Sequence, residues 1–167
     1  MSIDIEKLVG QVVREIYDGK PTVKREKRKI DRISLDDAKF LAEKVEEEAR
    51  RIGVRAVVAI ADDGGNLKLL ECMDDSFIAS RDIAINKAYT SVSLKISTKK
   101  LASLAAPGGS LYGIQHTNGG RIVIFGGGET LDLSGKIVGG LGVSGGTEEE
   151  DTALAAFGKK IFDEYFV

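Results

Sequence analysis

Residues 118–146 read NGGRIVIFGGGETLDLSGKIVGGLGVSGG, and the reading of this stretch decides the fold. Fourteen of the chain's 20 glycines lie between positions 108 and 146, interleaved with the β-prone runs 121–125 and 137–143. Glycine costs a helix interior up to about 1 kcal/mol per residue relative to alanine, yet it is favoured wherever a chain turns tightly. The stretch therefore predicts three strands joined by turns, with Asn118-Gly119-Gly120 and Ser134-Gly135-Lys136 as hairpin turns.

The flanking sequence supplies helices and a second hairpin. Upstream, 54–61 and 67–73 are β-rich and straddle the turn Asp62-Asp63-Gly64-Gly65-Asn66. Before them, Ser34 with Asp37 makes an N-cap, and Leu35, Ala38, Leu41, Ala42, Val45, Ala49 and Ile52 form the buried stripe of a helix that Gly53 ends. Residues 76–96 follow a helical pattern, and Ser97 caps a shorter helix over 98–105 that Pro107-Gly108-Gly109 closes. Residues 147–165, with Ala153, Leu154, Ala156, Phe157, Ile161 and Phe162 apolar, form the closing helix. The order is helix, hairpin, helix, short helix, three strands, helix: an α+β domain over 34–167, with an antiparallel sheet and helices packed on it.

Two further segments precede this domain. Ile5, Leu8, Val9, Val12, Val13 and Ile16 recur at helical spacing, so 1–17 reads as an amphipathic helix. Residues 18–33 carry seven Lys/Arg against three Asp/Glu and read as a polar, basic linker.

Composition excludes several classes of function. The 167 residues are 43% apolar, with 24 Lys+Arg against 26 Asp+Glu and a net charge of −2, which suits one core and disfavours a polybasic nucleic-acid binder. No run of 18 apolar residues is present, and the start MSIDIEKL lacks the apolar core of a secretion signal. A lone Cys72 makes no internal disulfide, which points to the cytoplasm. With one histidine in the chain, a protein-only zinc site or a His-dependent triad is poorly supplied.

Two glycine motifs look catalytic and lack their partners. The run 140–145 fits G-x-G-x-x-G, but no second parallel strand follows the last helix, and Glu148-Glu149-Glu150 would repel a pyrophosphate from its start. The run 142–146 fits the G-x-S-x-G elbow around Ser144, but the only histidine, His116, precedes the serine, whereas that fold places it after. His116 and Cys72 remain as candidate haem or metal ligands. Lys87, one turn from Thr90, is the basic residue of most interest, since a partly buried lysine is costly unless it meets an acid or an anionic ligand.

Ser80-x-x-Ile83-Ala84-x-x-Lys87-Ala88-x-Thr90, Thr98-x-x-Leu101, the block 118–128, and the block 139–146 with Asp151 and Ala155 beyond it together resemble the family of HbpS, GlcG and the C-terminal domain of PduO. The likeness covers about residues 35–160. It implies a profilin-like domain, with a five-stranded antiparallel sheet flanked by helices on both faces, assembling as homo-oligomers from dimer to octamer. It also implies a tetrapyrrole ligand, haem or corrinoid. The adenosyltransferase activity of PduO is not implied, because it belongs to a separate domain. Residues 1–17 look like the encapsulation peptides that dock cargo on a shell or core protein of a bacterial microcompartment.

The expected ligand site is lined by Gly108, Gly109, Tyr112, Gly126, Gly127 and Gly128, with Lys87 and Thr90 from the long helix and His116 or Cys72 as axial candidate. Glycine turns let backbone amides approach a carboxylate, and Lys87 would neutralise it. Two rival classes stay open. An enzyme acting on a small carbonyl or hydroxy acid would draw its base from Lys87, Asp151 or Tyr112. A structural oligomer or cargo adaptor would need no pocket.

Overall fold

The computed structural model describes residues 27–167. The amphipathic helix expected over 1–17, and the polar stretch as far as residue 26, lie outside the described residues. Helix α1, Leu35–Ile52, starts in a reciprocal capping box between Ser34 and Asp37 and ends at Gly53 in the left-handed conformation, φ 80°. Strands β1 (Val57–Asp62) and β2 (Leu67–Cys72) form a hairpin in which one Asp62 carboxylate oxygen accepts the amides of Gly64 and Asn66. Helices α2 (Ser80–Leu94) and α3 (Thr98–Ala105) follow, then two short 3-10 turns, strands β3 (Gly128–Leu133) and β4 (Lys136–Ser144), and helix α4 (Glu148–Tyr165).

The sheet is antiparallel throughout, in the order β2-β1-β4-β3. Alternation along β1 divides the core in two. Val58 and Ile60 join Leu41 and Val45 of α1 and Leu154 and Phe162 of α4 on one face. Val57, Ala59 and Ala61 meet Ala84, Ala88 and Val92 of α2 on the other. The helices thus flank both faces, as expected. Residues 28–33 run along the C-terminus: the Arg28 amide donates to the Tyr165 carbonyl at 2.8 Å, and the Ile33 side chain is buried in the main core.

The glycines of β4 have a packing cause. A Cβ at Gly140 would stand 2.6 Å from the Ala88 carbonyl oxygen, and one at Gly142 would clash with that of Ala84. Their absence lets the α2 backbone lie directly on the strand. The G-x-G pattern is therefore a helix-on-sheet contact.

The sheet has four strands, where the sequence predicted five. Residues 121–125 pair with no strand: Arg121 lies in the right-handed region, φ −82° and ψ −12°, and 122–124 carry no regular secondary structure. Thr90 of α2 takes a neighbouring strand's place: its Oγ1 accepts the Val123 amide at 3.0 Å and lies 3.3 Å from the Arg121 carbonyl oxygen. The expected hairpin turn at Asn118-Gly119-Gly120 is a 3-10 turn with three successive left-handed residues, φ 53°, 65° and 78°. Such a turn does not reverse the chain into a ladder. No helix among the described residues is long and apolar enough to cross a membrane.

Candidate functional site

The triple-glycine bend is filled from inside the protein. The Gly126 amide donates to Glu148 Oε1 at 2.9 Å, the Gly128 amide donates to Thr98 Oγ1 at 2.8 Å, and the Gly127 carbonyl accepts from the Val143 amide at 2.8 Å. A Cβ on Gly127 would lie 2.6 Å from Lys87 Nζ. Lys87 itself has no exposed surface. Its ammonium donates to Asp151 Oδ2 at 2.7 Å and to the Val143 carbonyl at 2.8 Å, and it sits 5.0 Å from the centre of the Phe125 ring. The other oxygen of Asp151 accepts the Gly146 amide at 2.9 Å.

Burial is the largest influence on both members of this pair. It pulls the Lys87 ammonium below the ordinary lysine range and pushes the Asp151 carboxyl above the ordinary aspartate range, each opposed by the partner's charge. The ammonium makes two hydrogen bonds, lies beside an aromatic ring and has no exposed surface, so Lys87 is spent inside the protein. Thr90 is likewise committed, donating to the Asn86 carbonyl at 2.7 Å.

The remaining expected residues gather on the loop from 106 to 121. Tyr112 is 67% exposed, and His116 is exposed with a single long contact, 3.4 Å to Gln115 Nε2. The Gln115 side-chain oxygen is buried without a hydrogen-bond partner, an unusual cost for a folded chain. Around a Cβ built at Gly108, Gly113, Gly119 or Gly120, no atom lies within 4 Å, so these backbones face open space; Gly109 instead packs against the Leu104 carbonyl. Cys72 stands apart at the end of β2, exposed, beside a groove of about 240 Å³ formed with Glu46, Arg50, Arg55, Met73 and Asp74.

Sequence reasoning missed one group on this loop. Arg121 was placed inside a strand, but it is exposed and stacks on Tyr89 of α2, its guanidinium carbon 3.6 Å from the ring centre. The Asn118 side-chain Nδ2 donates to the Tyr89 hydroxyl at 3.2 Å. That contact, a second from Ser93 and the Arg121 charge lower the Tyr89 pKa from its ordinary value. No local signal marks it, because Tyr89 and Thr90, which hold Arg121 and its backbone, lie 32 and 31 positions away in the chain.

The family model described as "Haem degrading protein HbpS-like" matches residues 33–159. The chain belongs to the HbpS-like family. Within it, this HbpS-like domain is 47% identical to an uncharacterised 15.0 kDa protein of the dhaT-dhaS intergenic region of Citrobacter freundii, over 82% of this chain and 96% of that one. It is 37% identical to the corrinoid adenosyltransferase PduO of Salmonella typhimurium over 74% of its own length, and spans only 37% of that larger protein. Among solved structures it resembles the PduOC:haem complex, with a TM-score of 0.74 and 35% identity over 77% of this chain and 94% of that one.

Proposed function

We propose that this HbpS-like domain is a tetrapyrrole-binding accessory protein, with haem as its ligand, held on the open loop from 106 to 121. The observation that carries the reading is the likeness to a relative whose solved structure is a complex with haem. The residues present fit such a group. The loop offers one imidazole at His116, an exposed aromatic ring at Tyr112, a cation at Arg121 and glycine backbones that face open space. Haem, when bound, would supply a redox-active iron. The chain's part would be to hold it: His116 would supply a ligand to the metal, Tyr112 would pack on the ring, and Arg121 would present its cation to an acidic group.

The binder reading is favoured over an enzyme because two of the three candidate bases are spent on each other. Lys87 and Asp151 form a buried pair, and Tyr112 is two-thirds exposed. Neither arrangement supplies a group poised in a closed site. In the cell the protein acts in this reading as a homo-oligomer, dimer to octamer, docked through residues 1–17 on a microcompartment shell or core protein. Pull-down of such a shell protein by the full chain, lost on deletion of 1–17, tests that docking.

The ligand is tested by titrating the purified full chain with haemin and, in parallel, with cobalamin. A saturable Soret shift with haemin, displaced in His116→Ala, is expected. Absence of any spectral change with haemin would overturn the assignment, and a response to cobalamin alone would transfer it to a corrinoid.

A further inference from the structure

Arg121 is held in place yet unpaired. The guanidinium carbon of Arg121 lies over the Tyr89 ring, 3.6 Å from its centre, and the Arg121 Nε reaches Asn86 Oδ1 at 3.5 Å, which is a weak contact. Among the described residues no carboxylate lies within 4.0 Å of it, while the ion pairs of α1 and α4 join lysines and arginines to acids one turn away or, for Lys159, also to Asp132 of β3. The backbone beneath it is fixed as well, since the Arg121 carbonyl and the Val123 amide are both tied to Thr90 of α2. A stacked guanidinium keeps its planar edge directed outward, where its Nη hydrogens match the two oxygens of a carboxylate.

The preceding turn completes the arrangement. Asn118, Gly119 and Gly120 are all left-handed, and Arg121 returns to the right-handed region, φ −82° and ψ −12°. The Gly120 amide donates to the Thr117 carbonyl at 2.9 Å and the Arg121 amide to the Asn118 carbonyl at 3.4 Å, so the turn satisfies its own amides and serves as a fixed base for the arginine, while the glycine Cα faces at 119 and 120 are clear of protein atoms. Holding the arginine in advance also removes much of the side-chain ordering cost that binding would otherwise incur.

We infer that Arg121, stacked on Tyr89 and seated on the Asn118-Gly119-Gly120 turn, is a carboxylate-binding site, and that it rather than Lys87 receives the acidic edge of the ligand. The inference deepens the tetrapyrrole reading, on which it rests for the identity of the ligand. The carboxylate chemistry is shared between a haem propionate and a free small acid, and the experiment separates them.

Wild type, Arg121→Gln, Arg121→Lys and Tyr89→Leu are titrated with haemin and with haemin dimethyl ester, in which both propionates are blocked. Thermal unfolding of each variant serves as a folding control, since Arg121 is exposed. Wild type should prefer the free acid to the ester by about tenfold, and Arg121→Gln should lose that preference while keeping its affinity for the ester. Arg121→Lys should retain only part of it, because lysine lacks the fork, and Tyr89→Leu should weaken it by freeing the arginine. An unchanged acid-to-ester ratio in Arg121→Gln would overturn the site. Should haemin not bind wild type, the tetrapyrrole reading fails by itself, and the site is read by titrating benzoate and following the Arg121 Nε–H NMR signal. A saturable shift of that signal, absent in Tyr89→Leu, assigns the site to free acids, and no shift overturns it.

Discussion

The Lys87 ammonium and the Asp151 carboxylate, 64 residues apart in sequence, meet at 2.7 Å with no exposed surface on the lysine and 6% on the aspartate side chain. This contact joins α2 to α4 and, through the Val143 carbonyl and the Gly146 amide, to both sides of the turn that ends β4. Removing one partner strands the other charge in the core, which costs about 3–5 kcal/mol, whereas replacing both with apolar residues of similar volume is often neutral. Lys87→Met should therefore lower the unfolding free energy by several kcal/mol in denaturant titration, and Lys87→Met with Asp151→Leu should recover most of it. A double variant no more stable than the single one would show that the pair is not a coupled unit.

The glycines divide into two sets that substitution should separate. Gly127, φ 108°, is closed in by Lys87 Nζ and by the Val143 carbonyl oxygen at 2.7 Å, whereas Gly113, φ 89°, has nothing within 4 Å. Gly113→Ala meets only the left-handed backbone strain, about 1–2 kcal/mol. Gly127→Ala adds overpacking of about 1–3 kcal/mol to a comparable strain. Denaturation midpoints should rank the two variants in that order, and equal losses would contradict the packed bend.

The same division explains what could be read from the chain and what could not. Helix limits were legible where caps mark them: Ser34 with Asp37, and Ser97, act locally, within one turn. The start of α2 at Ser80, not residue 76, was less so, because Phe77 and Ile78 suit a helical pattern but are 70% and 97% exposed. A glycine run announces close approach without saying what approaches. At 126–128 the visitors are Lys87, Thr98 and Glu148 of this chain, from elements 22 to 40 positions away. The fifth strand failed for a related reason: local β-propensity at 121–125 is real, but Thr90 satisfied the backbone first. Arg121 and Tyr89, 32 positions apart, come together only through that same long-range docking.

Thr90 should accordingly behave as a structural residue. Its hydroxyl serves the Asn86 carbonyl and the Val123 amide from a fully buried position. Thr90→Val keeps the shape and leaves that amide without an acceptor, at a cost of about 1–3 kcal/mol. Hydrogen exchange should show the loss first as faster exchange at Val123 and through the loop from 111 to 123, with α1 and α4 unaffected. Uniformly faster exchange across the domain, or none, would remove Thr90 from this role.

Glu71 gives the protein an acid-dependent component. It projects from β2 into a groove that also holds Glu43 and Glu46 of α1, and burial together with those two like charges raises its pKa above the ordinary glutamate value. A carboxyl raised on folding binds its proton more tightly in the native state, so its favourable contribution is complete below the unfolded value of about 4.3 and is lost as pH rises through the folded one. Glu71→Gln, which mimics the protonated group at every pH, should match wild type near pH 4 and exceed it at pH 7. The gain should stay below about 1 kcal/mol, because the groove is open to water and screened. Chemical denaturation at the two pH values reads the difference directly, and a variant less stable than wild type at pH 7 would reverse the sign and refute the like-charge account.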